Sequence, residues 1–197
     1  MKRKQDLDRA RRGVEEFLKG LGYDIEADPM FRGTSKQVVD AFANELLSGE
    51  DVDDASMLLS GSIPVTSAGD GPVVLRNLST VTVCPHHLMP AFGQATVVYF
   101  PGERVAGLGT IARLVDVHSR RFVLQEEIGN RVVQSLVKHL GARGAMCRLS
   151  LVHTCLVARG ERKHDARVET VAFAGSLCGP GSNSDLAWAK FALENEG

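Results

Sequence analysis

Four consecutive residues, Cys84-Pro85-His86-His87, include three side chains that can bind a metal ion or transfer a proton. A cysteine thiolate and a histidine imidazole three residues apart can both reach one zinc ion from a single turn of the chain. A site with three protein ligands keeps a fourth coordination position open for water. Cys84 and His87 are therefore candidate metal ligands, and His86 is a neighbouring imidazole available for proton transfer.

The third candidate ligand is Cys155, in the sequence His153-Thr154-Cys155. Apolar residues alternate from Cys147 to Val157, and this alternation predicts a strand. Side chains two residues apart on a strand point to the same face, so we expect His153 to lie beside Cys155. Such a strand would bring a second spare imidazole next to the metal.

Each of these residues also has an ordinary interpretation. Free cysteine is among the most buried residue types, and a lone histidine on a strand is usually part of the core or the surface. One Cys-x-x-His with a single distant cysteine is a weaker metal-binding pattern than a doubled Cys-x-x-Cys. Spacing alone leaves a metal site and an ordinary structural role both open.

The composition is that of a soluble globular protein. The chain has 197 residues, of which 44% are hydrophobic, enough for one domain or one domain with an extension. Its 23 basic and 24 acidic residues give a net charge of -1, so nothing favours nucleic acid or an anionic membrane as a partner. The basic start runs into a charged helical pattern, which predicts no signal peptide or membrane span and a cytoplasmic location. There the four cysteines are expected to be thiols or metal ligands.

The first part of the chain is predicted to be helical. Apolar residues keep helical spacing over Leu7–Leu21 and again over Thr34–Gly49. Thr34 is expected to cap the second helix, and Gln37 to complete a capping box. These helices predict a helical N-terminal extension over residues 1–60.

The chain after this extension is predicted to contain a flexible loop over residues 61–72, a domain over 73–178 and a C-terminal tail over 179–197 with a helix from Asp185. The domain has the order strand, strand, helix, helix, strand, strand, which is typical of an α+β protein with an antiparallel sheet. The predicted elements are strands Val73–Val83 and Gln94–Phe100, a short helix capped by Thr110, a helix Leu124–Leu140 closed by Gly141, and strands Cys147–Val157 and Val168–Ala174.

Several motifs occur in an order that resembles the GTP cyclohydrolase I family, from Thr34 to about Gly175. They are Cys84-Pro85-His86-His87-Leu88-Met89-Pro90, Gly107-Leu108, Arg113, Ser119-Arg120-Arg121, Gln125-Glu126, His153-Thr154-Cys155 and Ala158-Arg159-Gly160. The resemblance implies a tunnelling fold, in which ββααββ units form a pentameric barrel and two rings stack into a decamer. It also implies zinc sites at the subunit interfaces.

The resemblance implies a role for each candidate residue. Cys84, His87 and Cys155 would bind Zn²⁺, and His86 and His153 would transfer protons. The chemistry agrees, because water activated by zinc can attack the imidazole-ring carbon of guanine while an imidazole protonates the departing nitrogen. Formate would leave, and the ribose would rearrange to give dihydroneopterin triphosphate without an organic cofactor.

Two groups of residues would bind the substrate. Glu126, with Gln125 beside it, would meet the guanine edge, since a carboxylate accepts from both the ring N–H and the exocyclic amine. Without the resemblance, this pair would be interpreted as a solvated helix face. The candidates for binding the polyphosphate are arginines at two family positions, Arg113 and Arg159, and a basic cluster, Arg162, Lys163 and Arg167.

The sequence departs from the family pattern at two places. The family usually has Gly-Leu-Ser-Lys before the helix that carries Arg113, and this chain has Gly107-Leu108-Gly109-Thr110. A charge-assisted phosphate contact is worth roughly 1.5 to 3 kcal/mol, so triphosphate binding would weaken unless the basic cluster compensates. Pro85 replaces the usual glutamate, which removes a carboxylate near the metal and stiffens the turn.

Three functions are compatible with these residues. The first is a zinc-dependent GTP cyclohydrolase I that acts as a homo-oligomer. The second is a diverged cyclohydrolase acting on a purine nucleotide with fewer phosphates. The third is a non-catalytic, zinc-stabilised purine-binding assembly, although a structural zinc would need a fourth protein ligand and has no use for His86 or His153.

Overall fold

The computed structural model describes residues 4–65 and 71–178 of the chain. Within these residues the α-helices are Leu7–Gly20 (α1), Thr34–Ala41 (α2), Asp54–Ser60 (α3), Leu108–Ser119 (α4), Gln125–Leu140 (α5) and Thr154–Val157 (α6). The strands are Ser62–Pro64 (β1), Val73–Val83 (β2), Pro90–Phe100 (β3), Arg104–Ala106 (β4), Gly144–His153 (β5) and Val168–Gly175 (β6). Single helical turns cover Pro29–Phe31, Phe42–Leu46 and Ser176–Cys178.

The main sheet is antiparallel and has the strand order β2-β3-β5-β6. Strands β2 and β3 end their pairing with Val83 opposite Pro90, and β3 pairs Ala91 with His153 at the end of β5. The loop that begins at Cys84 and the end of β5 therefore lie at the same edge of the sheet. The chain order β2, β3, α4, α5, β5, β6 confirms the predicted ββααββ arrangement and the α+β class.

Helices α4 and α5 pack on one face of this sheet. Fully buried side chains recur every three or four residues along the helices and every two along the strands, which are the periods that place side chains on one face. The core contains Ile111, Leu114, Ile128, Val132 and Leu136 from the helices and Val97, Tyr99, Leu149 and Leu151 from the strands. Each such aliphatic side chain contributes about 1.5–3 kcal/mol on burial, which fixes α5 and β5 as a frame for the site.

The N-terminal helices differ from the prediction in detail. The first helix is confirmed. The second is capped by Gly33, which has a left-handed φ of 81° and lies one residue before the predicted cap, Thr34. Thr34 is therefore already inside the first turn, and the predicted capping box is wrong. Helix α2 continues into a π-helical turn, Phe42–Leu46, rather than running regularly to Gly49. Leu58 of α3 is fully buried in the main core, so part of this region packs against the domain.

Part of the predicted loop is a strand. Strand β1 pairs with β4, and the guanidinium of Arg104 donates hydrogen bonds of 2.7 Å to both the hydroxyl and the carbonyl of Ser62. Residues 66–70 lie outside the described residues. The short helix α4 begins at Leu108 with Gly107 as its cap, whereas the hydroxyl of Thr110 donates to the carbonyl of Gly61. The predicted capping role of Thr110 is wrong because α4 begins two residues earlier, and the Thr110 hydroxyl instead joins α4 to Gly61, between α3 and β1.

The other predicted elements agree with the structure, with shifts at their ends. Helix α5 ends at Leu140, and Gly141 has the left-handed φ of 69° expected of a C-terminal cap. Strand β3 begins at Pro90, four residues before the predicted start at Gln94. The predicted tail and its helix from Asp185 lie outside the described residues. No helix in residues 4–65 or 71–178 has the length and apolar character needed to cross a membrane.

Candidate active site

The loop between β2 and β3 holds two candidate ligands. It is closed by backbone hydrogen bonds of 2.9 Å from Cys84 N to Met89 O and from Leu88 N to Cys84 O, with Leu88 in the left-handed region at φ 53°. The sulfur of Cys84 lies 3.5 Å from Nδ1 of His87 and 3.9 Å from Nδ1 of His86. The loop therefore turns the thiol and both imidazoles toward one another, and both histidines are exposed.

The third candidate ligand lies on a helix rather than on a strand. Strand β5 ends at His153, opposite the start of β3, so no partner remains to extend it. Thr154 instead donates a 2.6 Å hydrogen bond to the carbonyl of Pro90 and begins the one-turn helix α6. The prediction of a strand through Cys155 is wrong, but α6 still brings Cys155 to the Cys84 loop.

Cys84, His87 and Cys155 each offer one ligand atom, and these atoms all lie within 4.8 Å of one another. Burial raises the pKa of the Cys155 thiol, and the neighbouring Cys84 raises it further, while Arg159 lowers it. Two nearby thiols resist forming thiolates together unless a cation lies between them. Two sulfurs and an imidazole are the donor set that suits zinc, so the residues present fit this ion.

His153 lies beside this cluster and is half-buried. Its Nε2 is 2.7 Å from the side-chain oxygen of Gln125, the first residue of α5. Burial lowers the pKa of His153, and the negative charge of Glu126 partly opposes this effect. The neutral imidazole is thus favoured beside the cluster.

These side chains share one cavity of about 240 Å³. Its lining includes His86, His87, Gln125, Glu126, His153 and Cys155. A larger cavity of about 530 Å³ lies over the open face of the sheet, but its lining contains none of the predicted catalytic or metal-binding residues. The smaller cavity is the candidate site because its lining contains the predicted metal-binding and proton-transfer residues.

The basic residues are divided between several places. Arg159 follows α6, and its Nη1 lies 2.9 Å from Nε2 of His87, at the edge of the cluster. Arg113 is exposed on α4 and does not line the 240 Å³ cavity of its own chain. Arg162 and Lys163 are exposed in the turn before β6, and Arg167 lines the larger cavity over the sheet. The structure therefore brings Arg159 to the site within one chain and does not bring the other basic candidates.

Two residues that support the site were missed by sequence reasoning. Thr154 ties α6 to β3, and Thr170 on β6 is 3.2 Å from the side-chain amide nitrogen of Gln125. Both act through contacts between segments distant in sequence, for which a single sequence has no pattern. Thr154 lies between His153 and Cys155 in the sequence, and this position is the only local signal for its role.

Comparisons with known proteins place the chain among relatives of one kind. The family model described as GTP cyclohydrolase I matches residues 10–184. The chain is 38% identical over 167 residues to GTP cyclohydrolase 1 of Chromobacterium violaceum, covering 84% of this chain and 79% of the relative. It is 36% identical over 182 residues to GTP cyclohydrolase 1 of Leifsonia xyli subsp. xyli, covering 91% of this chain and 94% of the relative.

Among solved structures, the crystal structure of the apo form of archaeosine synthase QueF-Like is similar, with a TM-score of 0.45 and 18% identity, over 55% of this chain and 97% of that chain. The family match covers the whole ββααββ region and every residue of the cavity. This chain belongs to the GTP cyclohydrolase I family.

Proposed function

We propose that the protein is a zinc-dependent GTP cyclohydrolase I. It would open the guanine imidazole ring of GTP by hydrolysis, release formate and rearrange the product to 7,8-dihydroneopterin triphosphate. The observation that carries this proposal is the cluster of Cys84, His87 and Cys155 within 4.8 Å, in a cavity that also contains His86 and His153. Membership of the family supports the choice of reaction.

In this proposal Cys84, His87 and Cys155 hold the zinc, and residues 73–178 form the catalytic domain. When bound, zinc supplies a Lewis acid that lowers the pKa of a water molecule to the neutral range. His86 and His153 flank the ligand cluster, so each is within reach of a substrate bound in the cavity. They transfer the protons that the departing ring nitrogen and the opening ribose require.

Glu126 and Arg159 are the substrate contacts that one chain can supply. Glu126 is exposed in the first turn of α5 and lines the cavity beside Gln125, which suits it to accept two hydrogen bonds from the guanine edge. Arg159 lies at the edge of the ligand cluster, next to His87. Arg113 is outside this cavity and would reach a substrate only from a neighbouring copy, in the pentameric ring or decamer that we propose as the functional assembly.

A diverged specificity is the second candidate, because the phosphate end of the site lacks two family side chains. Gly109 has no side chain, and the hydroxyl of Thr110 is occupied by the carbonyl of Gly61. Neither residue replaces the family lysine as a cation for the terminal phosphates. A substrate with fewer phosphates would lose less binding energy from this change.

Rates on GTP, GDP, GMP and guanosine separate these candidates. The metal-replete protein should release formate from GTP and give a fluorescent pterin after oxidation, with the highest rate on GTP. An equal or higher rate on GDP or GMP would favour the diverged cyclohydrolase, and no turnover on any of the four would favour a non-catalytic assembly. His153→Ala should abolish turnover, and His164→Ala, at an exposed position in the turn before β6, should retain it.

A further inference from the structure

Gln125 occupies an unusual position for a residue expected at a guanine edge. It is the first residue of α5 and is only 3% exposed. Its side-chain nitrogen lies 2.8 Å from the carbonyl oxygen of Val168, 3.3 Å from that of Leu149 and 3.2 Å from the hydroxyl of Thr170. One amide group thus joins the start of α5 to both β5 and β6.

These contacts fix which way the amide points. A carbonyl oxygen can only accept a hydrogen bond, so the group that faces Val168 and Leu149 must be the NH₂ of Gln125. The reversed amide would place oxygen against two carbonyl oxygens and leave buried groups without partners. The side-chain oxygen of Gln125 must therefore point toward His153.

The orientation of the amide in turn determines the proton position on His153. The oxygen of Gln125 is 2.7 Å from Nε2 of His153, and this oxygen has no hydrogen to donate. Nε2 must carry the proton, and in the neutral imidazole Nδ1 then has the free lone pair. Within residues 4–65 and 71–178, Nδ1 of His153 makes no hydrogen bond, so it is the nitrogen available to a substrate.

We propose that Gln125 is a positioning residue, which holds His153 in the Nε2-protonated tautomer so that proton transfer during turnover passes through Nδ1. This inference rests on the proposed function, because it assigns the proton-transfer atom of that reaction. The nitrogen and the oxygen of the Gln125 amide both make hydrogen bonds within the chain, so we assign the guanine contact to Glu126 alone. The strand pairing between β5 and β6 sets the tautomer, since Leu149 and Val168 supply the carbonyl groups that orient the amide.

Nitrogen-15 NMR of the zinc-loaded protein measures the tautomer directly. The chain has six histidines, so labelling with ¹⁵N-histidine gives few signals, and the spectrum of His153→Asn identifies those of His153. We expect a proton on Nε2 and none on Nδ1 in the neutral imidazole of the wild type. A proton on Nδ1 would overturn the proposal, and this measurement requires neither a Gln125 variant nor GTP turnover.

Kinetics of Gln125→Met test the consequence for turnover. Methionine has a similar length but accepts only weakly from Nε2, so we expect kcat for GTP to fall about 10- to 100-fold, the same range as when the outer hydrogen-bond partner of a metal-binding histidine is removed. KM should stay within about threefold, because the effect acts through His153 and not through substrate binding. The spectrum of the variant should show a mixture of His153 tautomers.

Glu127→Gln is the matched control. Glu127 lies in the same first turn of α5 but pairs with Arg131 at 2.7 Å and makes no contact with the Gln125 amide, so the tautomer and kcat should match the wild type. Retention of wild-type kcat by Gln125→Met, or a rise in KM alone, would overturn the positioning role. Failure of the wild type to convert GTP would instead contradict the proposed function, while the NMR spectrum would still decide the role of Gln125.

Discussion

At the scale of single residues, the candidate site combines side chains from three separate segments. Spacing predicts Cys84 and His87 as a pair because both lie on one loop. Cys155 is also predicted, but from a strand that in fact ends two residues earlier at His153. The turn into α6 depends on the hydrogen bond from Thr154 to Pro90, and this contact between distant segments cannot be predicted from a local pattern.

The ligand set predicts how zinc binding responds to loss of one sulfur. Cys155→Ser should lower zinc affinity by more than about 100-fold, because losing even an outer partner of a metal ligand costs about 10- to 100-fold. Inductively coupled plasma mass spectrometry after dialysis against a weak chelator measures the zinc that remains. Cys178→Ser, at an exposed cysteine outside the cluster, should bind zinc as the wild type does. Equal zinc content in the two variants would contradict the ligand assignment.

Glu126 and Glu127 are adjacent exposed carboxylates that allow a matched comparison of guanine recognition. Glu126 lines the cavity, whereas Glu127 points to Arg131 at 2.7 Å along α5. Glu126→Gln should raise KM for GTP about 10- to 100-fold, since a hydrogen bond to a charged group is worth about 1.5–3 kcal/mol. Glu127→Gln should leave KM unchanged in steady-state kinetics. A similar KM for both variants would remove Glu126 from the substrate site.

At the scale of elements, the strands and long helices are predicted well because their apolar periods are regular. Helix α5 is the clearest case, since Ile128, Val132 and Leu136 form one buried stripe and Gly141 ends the helix as predicted. The short elements are predicted poorly. Strands β1 and β4 are three residues long and pair with each other. Such short segments contain too few residues to show an alternating apolar pattern in the sequence.

The left-handed cap at Gly141 predicts that a side chain at this position destabilises the end of α5. Its φ of 69° is strained for any residue with a side chain, and an added Cβ would also lie 3.3 Å from the Cβ of Glu103. Gly141→Ala should therefore lower the free energy of unfolding by about 1–2 kcal/mol. Gly13→Ala, in the open surface of α1, should raise it by up to about 1 kcal/mol. Urea denaturation compares the two, and equal effects would contradict the account of α5.

At the scale of the whole molecule, a buried polar cluster joins the N-terminal region to the domain. Nε2 of His118 on α4 lies 3.1 Å from the hydroxyl of Ser135 on α5 and 3.3 Å from a carboxylate oxygen of Asp54 on α3. Burial lowers the pKa of His118 to about 4, and Asp54 opposes this shift only in part. The folded protein therefore keeps His118 neutral at a pH where the unfolded chain is protonated.

This cluster predicts a dependence of stability on pH. Between pH 6.5 and about 4 the unfolded chain takes up a proton at His118 that the folded chain does not, so stability is full above pH 6.5 and falls as the pH drops. The loss attributable to His118 is about 3 kcal/mol at 1.36 kcal/mol per pKa unit. His118→Phe should flatten the fall, measured by denaturant unfolding across this range, and His164→Phe should not. Parallel curves for the wild type and His118→Phe would contradict this role.

We propose that this cavity hydrolyses the imidazole ring of GTP at the carbon between its two nitrogens. The most direct measurement gives the zinc-loaded protein GTP carrying ¹³C at that carbon and follows the label by ¹³C NMR. We expect the label to leave as formate, one molecule for each GTP consumed, with none remaining in the pterin product. Label that stays in an intact purine while zinc is bound would contradict it.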